Sequence, residues 1–96
     1  MTPMPLEPGR VALSTAGRDK GRYFMILERV DDQYVFMADG VLRRIDKPKK
    51  KKCKHLQPKP VLITSLRDKL SAGMRIFDAE VRKALAEQGF IPDQAR

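Results

Sequence analysis

The sequence predicts a mainly β protein, a small antiparallel barrel followed by a short C-terminal helical tail. Three observations predict it. Short apolar, β-prone runs recur at roughly ten-residue spacing through the first half of the chain. Tight-turn residues, above all Gly17, Gly21 and Asp39-Gly40, separate them. Beyond Pro58 and Pro60 the apolar residues shift to helical spacing.

Residues 1–8 hold Pro3, Pro5 and Pro8 and read as an extended, mobile lead-in. Residues 10–16 read as a first strand, with Val11 and Leu13 on one face. Gly17-Arg18-Asp19-Lys20-Gly21-Arg22 then forms a charged turn with a glycine near each end. Glycine is needed where φ is positive or where the backbone approaches another surface closely. Residues 22–30 read as a second strand. Its apolar run from Tyr23 to Leu27 is continuous, so alternation cannot say which face is buried.

Asp31-Asp32 suits a reversal. Residues 33–38 read as a third strand, rich in aromatic and β-branched residues. Asp39-Gly40 is a two-residue hairpin signal, which makes 41–45 the fourth strand, with Arg43 exposed. Pro48 and the four lysines after it cannot bury a core, so 47–54 reads as a polybasic loop. Lys54-His55-Leu56-Gln57 returns as a short closing strand.

The expected units are therefore a lead-in at 1–8, a barrel at 9–60 with its polybasic loop at 47–54, and a helical extension at 61–96. In the extension, Ser65 with Asp68 resembles a capping box for a helix over 66–72 that ends at Gly73. Asp78 reads as the N-cap of a second helix over 79–88 that ends at Gly89. Val81, Ala84 and Leu85 share one face. Both helices are too short to be stable alone and need packing partners.

The chain has 96 residues, a formal net charge of +8 and 42% hydrophobic residues. One domain with a short appendage fits that length. Between residues 43 and 59 lie nine basic residues against the single acid Asp46. That local excess equals the whole net charge, because the other 11 basic residues are matched by 11 acids. Such a concentration points to a polyanionic partner.

Cys53 is the only cysteine, which excludes an intrachain disulfide and a cysteine-based zinc cluster. The N-terminus carries no signal-peptide pattern, and no stretch approaches the ~20 apolar residues of a membrane span. The expectation is a soluble cytoplasmic protein that does not engage membranes.

The turn at 17–22, with a hydrophobic strand on each side, resembles the KOW motif of ribosomal proteins and NusG-type elongation factors. That motif has the form Gly-basic-Asp-Lys-Gly-basic. The match covers roughly Gly9 to Val30. The next stretch, Tyr34-Val35-Phe36-Met37-Ala38-Asp39-Gly40 followed by Arg43-Arg44, resembles KOW-type proteins of the archaeal and eukaryotic large ribosomal subunit. The whole chain looks like a small bacterial KOW-domain RNA-binding protein related to that group. The resemblance implies an SH3-like barrel that binds RNA, specifically ribosomal RNA or the large subunit.

The candidate RNA-binding residues are Arg18, Lys20, Gly21 and Arg22 in the turn, Arg43 and Arg44 after it, Lys47, Lys49, Lys50, Lys51 and Lys52 in the basic segment, and Lys54 and His55 beyond. Each cation that neutralises a phosphate releases counterions, and arginine adds bidentate hydrogen bonding. Asp19 is expected to bond locally within the turn. Tyr23, Phe24, Tyr34 and Phe36 could stack on bases, but the phenylalanines read better as core.

Cys53 and His55 lack the further ligands of a metal site and the geometry of a nucleophilic pair. No enzyme activity and no cofactor are expected. The alternatives are a transcription-elongation-type KOW module, for which the chain has no room for a preceding α/β domain, and a protein-interaction module whose helical tail docks on a partner.

Overall fold

The computed structural model describes residues 5–90. Five strands form one antiparallel sheet in the order β4-β3-β2-β1-β5. They are β1 (Arg10–Ser14), β2 (Tyr23–Arg29), β3 (Tyr34–Ala38), β4 (Lys49–Lys52) and β5 (Leu56–Leu62), followed by α1 (Thr64–Ser71) and α2 (Asp78–Glu87).

The expected closed barrel is not formed, since β4 and β5 are the two edges. The sheet is nevertheless strongly curled, as its connectivity requires. The edge strands of a flat five-stranded sheet would lie about 19 Å apart, at ~4.8 Å per strand. The chain crosses from one edge to the other through a single turn of 3₁₀-helix, Cys53–His55. Its Cα steps from Lys52 to Leu56 span at most about 15 Å. The edges must therefore approach each other at this corner.

Curling explains the continuous apolar run in β2. Phe24 and Ile26 face the inside of the curl with Leu6, Ala12, Val35, Met37 and Leu56. Met25 faces outward and packs with Val11, Ile63, Leu66, Ile76, Val81 and Leu85 under the two helices. Over Phe24–Ile26 both faces of β2 are buried, so neither is marked by polar residues there. Full burial of Val81 and Leu85 is worth about 1.5–3 kcal/mol each. That packing holds a helix too short to stand alone.

Leu6 is also buried, so the lead-in is anchored from that residue onward. Residues 1–4, the rest of the lead-in, and the end of the tail at 91–96 lie outside the described residues.

Two expectations about the middle of the chain are overturned together. The segment 41–45 forms no strand, and the lysines assigned to a loop form β4, paired with β3 from Tyr34–Lys52 to Met37–Lys49. The cause lies in side-chain acceptors. Asp39 Oδ1 accepts hydrogen bonds from the amides of Val41 and Arg43, both at 2.9 Å, and Asp78 Oδ1 accepts from the amide of Ile45 at 2.8 Å. These amides are taken from any ladder, and the Asp39-Gly40 pair opens into a wider loop instead of a two-residue hairpin. Gly40 also lies against α2, where an added Cβ would collide with the backbone of Asp78 and Arg82.

Edge positions suit both outer strands. Lysines on β4 discourage pairing with another chain. Pro58 and Pro60 lack the N–H that an inner strand would need, yet β5 runs through both to Leu62.

Each helix begins one or two residues before its expected start. Ile63 occupies the N-cap of α1 with no side-chain cap, so the Ser65–Asp68 capping box is not formed. The amide of Ile63 is tied to the Gly9 carbonyl at 2.8 Å, which fixes where the helix begins. Asp78, expected as the cap of α2, instead serves Ile45. The Phe77 amide bonds to Glu80 Oε2 at 2.8 Å. Both C-termini end as expected: Met74 N–H bonds Lys69 O, and Phe90 N–H bonds Leu85 O, both at 2.8 Å.

Candidate nucleic-acid interface

The Gly17–Arg22 turn is closed by its own backbone. Gly21 N–H donates to Ser14 O at 2.8 Å, and Ser14 N–H to Arg22 O at 2.9 Å. Gly21 has a φ of +87°, with nothing near an added Cβ. Glycine is required there by backbone conformation and not by close approach. Arg18 and Lys20 project from this turn and are exposed.

Three other parts of the chain hold the turn in place. Lys51 Nζ donates to Ala16 O at 2.7 Å. The Lys51 side chain is buried opposite Val35, its stem against the inner core and its ammonium reaching the turn. Arg43 Nε and Nη2 donate to the two carboxylate oxygens of Asp19 at 3.3 and 3.1 Å. Asp19 is only 3% exposed, so this fork-to-fork pair is well shielded on the acid's side. Thr15 N–H donates to His55 O at 2.9 Å, which joins the turn to the 3₁₀ segment.

Lys51 and Arg43, distant from the turn in sequence, are therefore brought against it, and the candidate cations fall into two roles. Lys51 and Arg43 brace the turn. Arg18, Lys20, Arg44, Lys47, Lys50 and Lys54 are exposed, and Lys49, Lys52 and His55 are half-buried. Lys50 Nζ lies 4.9 Å from the centroid of the Tyr34 ring, a cation–π contact on the outer face of β4.

Arg22 is partly buried, and its Nη1 has no hydrogen-bond partner among the described residues; nor does Asp39 Oδ2. Continuing the register from Met25–Ala38 sets Asp39 opposite Phe24, which places Arg22 and Asp39 on the same inner face. Of the aromatics, Phe24 is core as expected, and Tyr23 packs on Phe90 with ring centroids 4.6 Å apart.

Neither bracing contact has a signal in the sequence. Asp19 pairs with a residue 24 positions away and not locally. Nothing distinguishes Lys51 from its lysine neighbours except the strand alternation that a loop assignment conceals.

At the neighbouring corner, Asp31 Oδ1 accepts from the amides of Gln33 and Tyr34 at 2.8 and 2.9 Å. These bonds hold its carboxyl below the usual carboxylate range. Among the described residues, no group of three or more His, Cys, Asp or Glu is placed to hold a metal ion.

No family model matches the chain. It is, however, 34% identical over 84 residues to the large ribosomal subunit protein eL14 of Desulfurococcus amylolyticus, covering 88% of this chain and 80% of the relative. The chain belongs to the eL14 family. A second eL14, from Hyperthermus butylicus, is 31% identical over 91 residues, 90% of this chain and 81% of the relative. Both eL14 relatives are archaeal, which agrees with the resemblance to archaeal large-subunit proteins and lends nothing to a bacterial assignment. The likeness spans the sheet and the helical extension alike, so the tail is part of what this chain shares with eL14 proteins. Among the described residues of this eL14-family chain, no helix is long and apolar enough to cross a membrane.

Proposed function

We propose that the chain is a non-enzymatic component of the large ribosomal subunit that works in the cytoplasm and binds ribosomal RNA. The Gly17–Arg22 turn acts as a KOW turn on an SH3-like curled sheet. The observation that carries this reading is the eL14 likeness over nearly nine-tenths of the chain. The braced turn supplies the physics. Arg18 and Lys20 stand on a rigid base, and Arg44, Lys47, Lys49, Lys50, Lys52, Lys54 and His55 add further cations for phosphate. A turn whose backbone is fixed before binding loses less conformational entropy on meeting phosphate. Phosphate contacts of this kind position the protein and carry no base information.

A protein contact at the α1–α2 corner is a second element of the proposal. It is supported by Met74 and Phe77, which are each 55% exposed although large and apolar.

Sucrose-gradient sedimentation of cell extract tests the reading. The protein should migrate with the large subunit and leave it after high salt or RNase. Migration at the top of the gradient in every condition would contradict a ribosomal role.

A further inference from the structure

We infer that the cleft between the β2–β3 turn and the Cys53–His55 turn binds one unpaired guanosine nucleotide of the RNA. This rests on the RNA-binding reading above and gives it a base-specific contact.

The cleft measures about 370 Å³ and is lined by Asp32, Gln33, Lys52, Cys53 and Lys54. That volume is within the range of small-ligand sites, ~300–1,000 Å³. Its walls are fixed by hydrogen bonds to the backbone. Asp31 caps the amides of Gln33 and Tyr34. Arg29 donates to the carbonyls of Asp31 at 2.7 Å and Asp32 at 3.2 Å. Cys53 N–H donates to Gln33 O at 2.7 Å, which ties the two walls together.

These bonds hold the turn and leave the side chains of Asp32 and Gln33 unused. Among the described residues, neither the Asp32 carboxylate nor the Gln33 carboxamide takes part in a bond; Asp31 is the side chain that caps this turn. Within the same residues Lys52 and Lys54 form no ion pair, although Asp32 lines the same cleft. Opposite charges thus face a shared space without meeting across it.

A ligand that serves both walls presents N–H donors at one end and an anion at the other. A nucleotide does this with its base edge and its phosphate. Unpaired bases are read on their Watson–Crick edges. Guanine alone among the four RNA bases carries two adjacent donors there, N1–H and the N2 amino group. A carboxylate accepts both at once. Asp32 takes that edge, the Gln33 amide donates to O6, and Lys52 and Lys54 meet the phosphate. Cys53, packed against the inner core, gives an apolar wall for the ring.

The test is an amide NMR titration of the full chain with GMP, AMP, CMP and UMP, beside a mobility-shift assay with ribosomal RNA. GMP should shift the Gln33, Cys53 and Lys54 amides at concentrations about tenfold lower than the other nucleotides, as a bidentate base contact provides. Asp32→Asn should erase that preference with no change in melting temperature. Lys52→Gln should weaken all four nucleotides together. Equal shifts from all four nucleotides, no shift at the cleft, or a guanine preference that survives Asp32→Asn would each overturn the proposal. Binding of ribosomal RNA without guanine selectivity sinks the cleft alone. Guanine selectivity in a protein that does not bind ribosomal RNA upholds the cleft and sinks the RNA-binding reading.

Discussion

The ammonium of Lys51 lies 2.7 Å from the carbonyl oxygen of Ala16, so a residue of the most basic strand is committed to holding the most basic turn. The polylysine segment is therefore not one electrostatic unit. Strand alternation divides it: Lys51 turns inward, while Lys50 lies over Tyr34 on the outer face.

Lys51→Ala should destabilise the fold by about 1–3 kcal/mol, because it removes a buried, charge-assisted hydrogen bond. Lys54→Ala, at an exposed position, should stay within about 0.5 kcal/mol. Urea denaturation of the two variants checks this. Equal effects would mean that Lys51 is as free as its neighbours.

Arg43→Gln should also cost stability, by about 1–3 kcal/mol, because it leaves the buried Asp19 carboxylate without its partner. Asp19→Asn in the same chain should recover part of that loss. A double-mutant cycle measures the coupling, and additivity of the two changes would show that the pair contributes nothing. Arg43→Lys should fail to rescue fully, since lysine cannot offer the two-pronged geometry.

Gly21→Ala should be destabilised by about 1–2 kcal/mol, the cost of a left-handed backbone with a Cβ. Gly40→Ala should be worse, because the added carbon meets the backbone of α2 as well. Thermal melts rank the two. A milder effect at Gly40 would mean that α2 shifts easily against the 39–43 loop.

These two glycines show where sequence reading works and where it stops. Both are legible as turn positions, because turn residues act locally. The path of the chain after Gly40 is not legible. The amides of Val41, Arg43 and Ile45 are claimed by Asp39 and Asp78, and the second of these acids sits more than thirty residues away. Three of the strands and both helix ends come from local pattern. The place of β4 depends on the curl of the sheet, which only the short 3₁₀ link enforces. At the candidate site, the turn and its exposed cations are readable from charge and glycine spacing. The division into bracing and free cations rests on contacts between distant segments and leaves no trace in composition.

Lys69 Nζ and Glu80 Oε1 join α1 to α2 at 2.5 Å. This bond, with the Phe77 amide, holds the Glu80 carboxyl below its ordinary range. A depressed folded value stabilises the protein above the unfolded value, and that stability is lost as pH falls through the folded one. Unfolding scans in acid should therefore show stability declining below about pH 4, with a shallower decline in Glu80→Gln. Identical pH profiles would mean that the Glu80 carboxylate contributes nothing to acid sensitivity.

The most direct test of the central claim is the salt dependence of binding to a ribosomal RNA fragment, for the wild type and for Arg18→Gln with Lys20→Gln. The slope of log K against log salt should fall by about 1.4–1.8 in the double variant, one phosphate contact per lost cation, with the melting temperature unchanged. An unaltered slope would contradict the assignment of the braced turn as the RNA-binding element.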